Sequence, residues 1–127
     1  MKVIKTIMIV DDDPDIIFTV QEGFKDLETD FNILSAKSGK ECIKLLKNNE
    51  IPDVILLDIM MPDMSGWETY DKINENQSWK NIPVVFLTAR NDRIAKNAGE
   101  FLGEDYIEKP FEIENLKERI DIVINKN

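Results

Sequence analysis

Polar residues capable of chemistry stand where several short apolar runs of the sequence end. They are Asp11, Asp12, Asp13, Asp58, Thr88 and Lys109. Carboxylates brought close together repel one another and raise one another's pKa unless a cation is present. Mg²⁺ suits such a cluster, because it is usually held by one or two carboxylates together with a phosphate. Since a lysine and a hydroxyl suit the remaining phosphate oxygens, the residues indicate phosphoryl transfer to or from a carboxylate.

Each of these groups, taken alone, has a simpler structural explanation. Acidic residues before Pro14 favour a helix start through the helix dipole, and Asp58 could cap a loop. A lone threonine after a strand usually satisfies backbone groups, and a Lys-Pro pair usually turns the chain. The functional interpretation is favoured because all the groups fall at the same end of separate strands. In open parallel sheets, ligands bind at the carboxyl ends of the strands.

Short apolar runs predict the strands that would position these groups. The runs at 7–10, 54–57 and 84–87 lack polar alternation, as is typical of central parallel strands covered on both faces. A weaker run at 31–36 and a polar run at 105–108 predict strands nearer the edges.

The segments between the strands have helical spacing. A first helix begins at Pro14, with a fourth expected somewhere in 91–101, where Gly99 interrupts the pattern. The apolar face of the first helix is predicted to carry Ile16, Val20, Phe24 and Leu27, and that of the last helix Ile113, Leu116, Ile120 and Val123. Two capping-box spacings start the second and third helices: Ser38 with Glu41, and Ser65 with Glu68. Strand and helix alternate about five times, which predicts an α/β doubly wound parallel sheet.

Composition excludes several classes of protein. With 25 acidic against 16 basic residues and a net charge of −9, direct nucleic-acid binding is disfavoured. The single cysteine, Cys42, cannot form an internal disulfide, and it is expected to be a buried structural thiol beside Leu45 and Leu46. Neither a leader peptide nor an apolar segment long enough for membrane insertion is evident. We expect a single cytoplasmic domain over 1–127 with no effector domain after Asn127, so that output passes through another protein.

Four stretches give the sequence a family resemblance: IMIVDDDPDI, DVILLDIMMPDMSG, VVFLTAR and DYIEKPF, in this order. Together they resemble the receiver domain of two-component response regulators, and the stand-alone chemotaxis receiver is the nearest comparison. The resemblance implies a flavodoxin-like, five-stranded sheet of order 2-1-3-4-5 with five helices. It also implies a sensor histidine kinase or a histidine phosphotransfer protein as phosphodonor, and an unknown downstream protein as partner.

The resemblance assigns the phosphoacceptor and its metal site. It implies that Asp58 accepts the phosphoryl group and that Asp12 binds Mg²⁺ directly, while Asp11 acts largely through water. The backbone carbonyl of Met60 would complete the metal site. On this basis the domain catalyses its own phosphorylation and dephosphorylation but is mainly a signalling switch.

The resemblance also implies the parts of the switch. Thr88 matches the hydroxyl that turns toward the phosphoryl group, Tyr106 the aromatic residue that rotates with it, and Lys109 the lysine that pairs with the phosphate. Pro110 would follow a cis peptide bond.

Three further residues are predicted to tune or extend the site. Met60 and Arg90 lie two residues after Asp58 and Thr88, and they should overhang the phosphoryl group. Because methionine cannot orient an attacking water and arginine can cover the phosphate, slow self-dephosphorylation is expected. Phe18, on the first helix opposite its apolar face, is a candidate contact for the phosphodonor protein, with packing against a neighbouring helix as the alternative.

Two other functions remain open at this point. A phosphatase of the haloacid dehalogenase type could use Asp11 and Asp13, followed by Thr88 and Lys109, although it leaves Asp58 unexplained. Its fourth motif is also missing, because the acidic residues after the lysine open a helix. A receiver-like scaffold that no longer takes phosphate is the other alternative.

Overall fold

Five parallel strands form one sheet in the computed structural model, which describes residues 4–27, 30–89 and 105–125. The strands are β1 (Thr6–Val10), β2 (Asn32–Ala36), β3 (Val54–Asp58), β4 (Val84–Ala89) and β5 (Asp105–Lys109). Their order is β2-β1-β3-β4-β5, and every neighbouring pair is parallel. The predicted fold class and strand order are confirmed.

The central strands are buried because both faces of the sheet are covered. All of β3 is buried, and so is β1 from Ile7 onward. This explains why their sequences are uninterrupted apolar runs. β3 and β5 each extend one residue beyond the predicted run, so that Asp58 and Lys109 lie within the hydrogen-bonded sheet. Their backbones are thereby fixed by the strand ladder.

Four helices lie within the described residues. They are α1 (Pro14–Asp26), α2 (Gly39–Lys47), α3 (Gly66–Asn74) and α4 (Ile113–Asn125). The further helix expected in 91–101 falls outside the described residues. None of the described helices is long and apolar enough to cross a bilayer.

The predicted capping residues start α2 and α3. Ser65 and Glu68 form a complete capping box, because each side chain accepts a hydrogen bond from the other's backbone N–H. At α2 the Ser38 hydroxyl accepts from the Glu41 N–H at 3.1 Å. The Glu41 carboxylate, however, accepts from the Lys37 N–H at 2.8 Å, one residue earlier than a capping box requires. Both helix starts are as predicted.

Two hydrophobic cores flank the sheet. The first packs α2 and α3 against one face and includes Cys42, Leu46, Ile73, Trp79 and Phe86. The second packs α1 and α4 against the other face and includes Ile17, Val20, Phe24, Leu116, Ile120 and Val123. α1 and α2 therefore lie on opposite sides of the sheet.

The buried face of α1 agrees with the prediction at Val20 and Phe24 and differs at its first residue. Ile17, Val20 and Phe24 are its buried residues, whereas Ile16 is only half-buried. Leu27 caps the helix and is also half-buried, while Ile16 packs against the same core from its edge. In α4, Ile113 is likewise half-buried at the helix start.

The prediction for Cys42 is confirmed. Its side chain is fully buried, and burial raises the pKa of the thiol to about 12. A thiol that stays protonated is a poor nucleophile, so Cys42 serves packing.

Candidate functional site

Three carboxylates converge at the carboxyl end of the sheet. Asp11 follows β1 and Asp58 ends β3, and these strands are neighbours in which Val10 is paired with Leu57. Asp11, Asp12 and Asp58 each offer an oxygen, and these oxygens all lie within 4.8 Å of one another. Asp11 is fully buried, Asp58 is 5% exposed, and Asp12 is exposed. The cluster is therefore anchored in the core and open to solvent through Asp12.

Lys109 brings a positive charge to this cluster. Its Nζ lies 2.7 Å from Oδ2 of Asp11 and 3.3 Å from Oδ1 of Asp58. Lys109 ends β5, and the peptide bond to Pro110 is cis, as the resemblance implied. One ammonium group thus bridges two buried carboxylates on different strands.

The surroundings of Asp58 and Lys109 raise the pKa of both side chains. Burial, and after it the negative charge of Asp11, raise the pKa of Asp58 to about 7, although Lys109 acts in the opposite direction. Burial acts to lower the pKa of Lys109, but its hydrogen bond to Asp11 and the charge of Asp58 outweigh burial and raise it. Lys109 therefore stays charged at neutral pH, while a cation is needed to hold Asp58 fully ionised.

The acidic residues in the loop after β1 have different roles. Oδ1 of Asp11 accepts a hydrogen bond from the Asp13 N–H at 2.9 Å, so the buried carboxylate also orders the loop. Asp13 is exposed, and its side chain accepts from the Asp15 N–H at 2.9 Å as the N-cap of α1. Capping is therefore the role of Asp13, and it does not support the dehalogenase mechanism, which requires Asp13 at the reacting centre.

A glycine allows the loop after β3 to fold back against Asp58. The Gly66 N–H donates to the Ile59 carbonyl at 2.9 Å. A Cβ at Gly66 would clash with the Asp58 carbonyl oxygen and would lie 2.7 Å from the Cα of Ile59. Any larger residue would push this loop away from the strand end that carries Asp58. Within the loop, Met60 is 68% exposed.

Thr88 and Tyr106 lie on the strands beyond Asp58. Asp58 is paired with Leu87, and the next residue, Thr88, is only 1% exposed. Tyr106 is paired with Phe86 and packs half-buried against the core on the α2–α3 side. Because alternate residues of a strand share a face, Thr88 points to the same side as Phe86. The hydroxyl and the aromatic ring therefore belong to one face of the sheet.

The structure brings together most of the residues that the sequence singled out. Asp11, Asp12, Asp58 and Lys109 form one cluster, with Thr88 beside it in the sheet. Phe18 is 62% exposed on α1, which disfavours the alternative of packing against a neighbouring helix. Arg90 lies outside the described residues. The ion pair between Asp11 and Lys109 was not predicted. The two residues are 98 positions apart, and no sequence pattern indicates that they are paired.

The donor atoms of the cluster fit a hard divalent cation. All three side chains offer carboxylate oxygens, which Mg²⁺ prefers to nitrogen or sulfur ligands. The exposure of Asp12 leaves one side of the cluster accessible for water and phosphate ligands.

Comparisons with known proteins agree with this geometry. Residues 7–121 match the response regulator receiver domain family. The chain is 39% identical to a probable cyclic di-GMP phosphodiesterase of Vibrio cholerae, over 96% of this chain and 29% of that protein. It is also 39% identical to the transcriptional regulatory protein YvrH of Bacillus subtilis, over 91% of this chain and 47% of that protein. The chain thus spans less than half the length of these curated relatives.

Solved structures show the same fold. A CheY-like response regulator receiver domain protein from Methanospirillum hungatei is 40% identical, with a TM-score of 0.79 over 96% of this chain and 98% of that one. The receiver domain of Francisella response regulator 1452 is 30% identical, with a TM-score of 0.82 over 96% and 98% of the two chains. The haloacid dehalogenase alternative finds no support in these relatives. The chain belongs to the response regulator receiver domain family of two-component signal transduction.

Proposed function

We propose that Asp58 of this cytoplasmic domain accepts a phosphoryl group from a sensor histidine kinase or a histidine phosphotransfer protein, and that the modified domain switches binding of a downstream protein or relays the phosphate. The observation that carries the proposal is the convergence of Asp11 and Lys109 on Asp58, which is 5% exposed at the tip of a buried strand. Burying the Asp58 carboxylate costs free energy of folding even beside a lysine, and this cost favours a functional role for Asp58.

Asp58, Lys109 and Asp11 have different roles in the proposed phosphoryl transfer. An oxygen of the ionised Asp58 attacks phosphorus, the bond from phosphorus to the donor nitrogen breaks, and an acyl phosphate forms. Lys109, whose Nζ is 3.3 Å from Asp58, pairs with an oxygen of the incoming phosphoryl group. Asp11 holds that lysine in position through its 2.7 Å contact.

Mg²⁺ is the cation we propose for the site, with Asp12, Asp58 and the backbone carbonyl of Met60 as its direct protein ligands and Asp11 acting largely through water. When bound, it offsets the negative charge that would otherwise repel the phosphoryl group. The side chains then keep the nucleophile ionised and aligned.

Thr88 and Tyr106 carry the proposed switch. The Thr88 hydroxyl turns toward the new phosphoryl oxygens, and Tyr106, half-buried on the same side of the sheet, moves into the space that becomes available. Phe18 is proposed to contact the phosphodonor protein, because a large aromatic residue exposed on α1 offers a hydrophobic anchor.

Intact-mass spectrometry with acetyl phosphate tests the proposal without a partner protein. We expect the mass of one phosphoryl group to be added in the presence of Mg²⁺ and none in EDTA. The Asp58→Asn variant should gain no mass under either condition. A chain that remains unmodified with Mg²⁺ and excess donor would instead support the scaffold alternative.

A further inference from the structure

A groove lies between α2 and α3, on the face of the sheet opposite α1. It consists of two adjoining recesses of about 350 and 250 Å³, which share Ile43, Lys47 and Lys72 as lining residues. We call it the lysine groove. Its larger recess is lined by Lys40, Ile43, Lys44, Lys47, Met64 and Lys72, and its smaller recess adds Glu75, Asn76 and Trp79. The shared residues make the two recesses one continuous depression.

The charge of the lysine groove is opposite to that of the chain. Four lysines line its larger recess with no acidic residue among them, although the net charge of the chain is −9. Among residues 4–27, 30–89 and 105–125, none of these four side chains has an ion pair or a hydrogen bond. Glu75 is the acidic residue in the smaller recess. The ammonium groups are therefore available to a ligand.

Helix stability explains only part of this arrangement. Lys44 and Lys47 lie in the last turn of α2, where lysines favour the helix dipole. Lys40, in contrast, lies in the first turn, where a positive charge is unfavourable, and Lys72 belongs to α3. Lys40, Lys44 and Lys47 follow the i, i+4, i+7 spacing of one helix face, a stripe of about 10 Å. Two helices thus supply one basic surface.

The floor of the groove is apolar. Ile43 and Met64 are half-buried, and Trp79, which lines the smaller recess, is only 8% exposed. A ligand that fits both properties needs carboxylates for the rim and an apolar side chain for the floor. Nucleic acid fits less well, because a polyphosphate offers no apolar side chain to the floor and the buried Trp79 ring gives its bases no stacking surface. A membrane surface fits less well because the apolar residues are recessed.

We propose that the lysine groove binds an acidic, amphipathic segment of a partner protein, about two helical turns long. Its carboxylates pair with Lys40, Lys44, Lys47 and Lys72, and an apolar side chain rests on Ile43 and Met64. The groove is positively charged on an otherwise acidic chain, and this charge favours an acidic partner segment. The interaction is separate from the proposed function, because it uses none of the residues of the Asp58 site.

A designed peptide tests the proposal on the full chain. The probe is an acetylated helical peptide of about 14 residues with glutamates on one stripe and leucines on the next, and its matched control has glutamine for every glutamate. Amide NMR spectra of the isotope-labelled chain should show shifts at groove residues with the acidic peptide only. We expect binding to weaken about tenfold between about 50 mM and about 300 mM salt.

Charge-reversal variants locate the interaction. The double variant Lys44→Glu/Lys72→Glu should bind about tenfold more weakly or worse, while Lys5→Glu/Lys25→Glu, with the same charge change outside the groove, should bind almost as the unmodified chain does. The neutral variant Lys44→Gln/Lys72→Gln should fall between them, which keeps the test valid if charge reversal disturbs folding. Asp58→Asn should bind normally, so a failure of the phosphoacceptor proposal would leave this result unaffected.

Three outcomes would overturn the proposal. Equal weakening in the Lys5→Glu/Lys25→Glu control would indicate a nonspecific charge effect. Shifts confined to residues outside the groove would place the peptide elsewhere. Tighter binding of a short single-stranded RNA or of anionic lipid vesicles at the same residues would assign the groove to another class of ligand.

Discussion

The ammonium nitrogen of Lys109 lies 2.7 Å from a carboxylate oxygen of Asp11, and this contact joins the end of β5 to the end of β1 across the two strands between them. The Asp11 side chain is fully buried and that of Lys109 is 22% exposed. Because an unpaired buried charge is costly, the pair supports the fold as well as the site. Lys109 therefore has a structural role that can be measured apart from phosphorylation.

Replacing Lys109 by methionine should destabilise the metal-free protein. The substitution leaves Asp11 buried without its partner and Asp58 without a nearby positive charge, so we expect a loss on the order of 1–3 kcal/mol in the free energy of unfolding at neutral pH. Urea denaturation in EDTA measures it. Mg²⁺ should recover part of the loss, because a bound cation offsets the same carboxylates.

An exposed ion pair gives the matched control for Lys109. Lys117 Nζ lies 2.6 Å from Asp121, but these side chains are 36% and 41% exposed. Lys117→Met should therefore cost no more than about 0.5 kcal/mol. Equal losses for the two methionine variants would show that burial does not distinguish the pairs.

The raised pKa of Asp58 predicts that this residue destabilises the metal-free protein as pH rises. Its pKa is about 7 in the folded chain, against about 3.9 for an unfolded aspartate. Between these values the folded state holds a proton that the unfolded state has lost, so low pH favours folding. The contribution of Asp58 to the free energy of unfolding therefore falls as the pH rises from about 4 to about 7.

The unfolding free energies of the unmodified chain and of Asp58→Asn measure this effect in EDTA at several pH values. We expect the variant to gain in relative stability from about pH 5 to about pH 8. Parallel curves over that range would contradict a raised pKa at Asp58.

Phe18→Ala should slow phosphoryl transfer from a protein donor while leaving reaction with acetyl phosphate unchanged. The residue is 62% exposed, so its removal costs little packing. Ile51→Ala is the control, since Ile51 is 43% exposed and precedes β3 at the opposite end of the sheet from Asp58. If transfer from both donors slowed equally, Phe18 would not be a docking contact.

Met60→Asn should shorten the lifetime of the phosphorylated domain. Met60 is 68% exposed two residues after Asp58, and an amide there could orient the attacking water, so decay should quicken by about tenfold. Loss of the phosphoryl mass over time measures it, with Met60→Leu as a control that stays apolar. Unchanged decay in Met60→Asn would show that this position does not govern hydrolysis.

The fold was predictable because its central strands are covered on both faces. Uninterrupted apolar runs at β1, β3 and β4 identified the buried strands, and the carboxyl-end rule then placed Asp58 beside the acidic residues of the first strand. On α1 the prediction named Ile16 instead of Ile17, because the two residues are equally apolar and only packing decides which is buried.

Other features depend on contacts that the residue types alone do not specify. Asp13 belongs to the acidic run, yet its hydrogen bond to Asp15 makes it a cap. The lysine groove combines a visible spacing in α2 with Lys72 and Met64 from α3 and the loop before it. Nothing in the sequence of α2 indicates that these residues meet.

The most direct test of the central claim is to map the modified residue. After reaction with acetyl phosphate and Mg²⁺, borohydride reduces an acyl phosphate to the alcohol, which marks the position through digestion and tandem mass spectrometry. We expect the mark at Asp58 and nowhere else. A mark at Asp11, Asp12 or Asp13, with Asp58 unmodified, would contradict it.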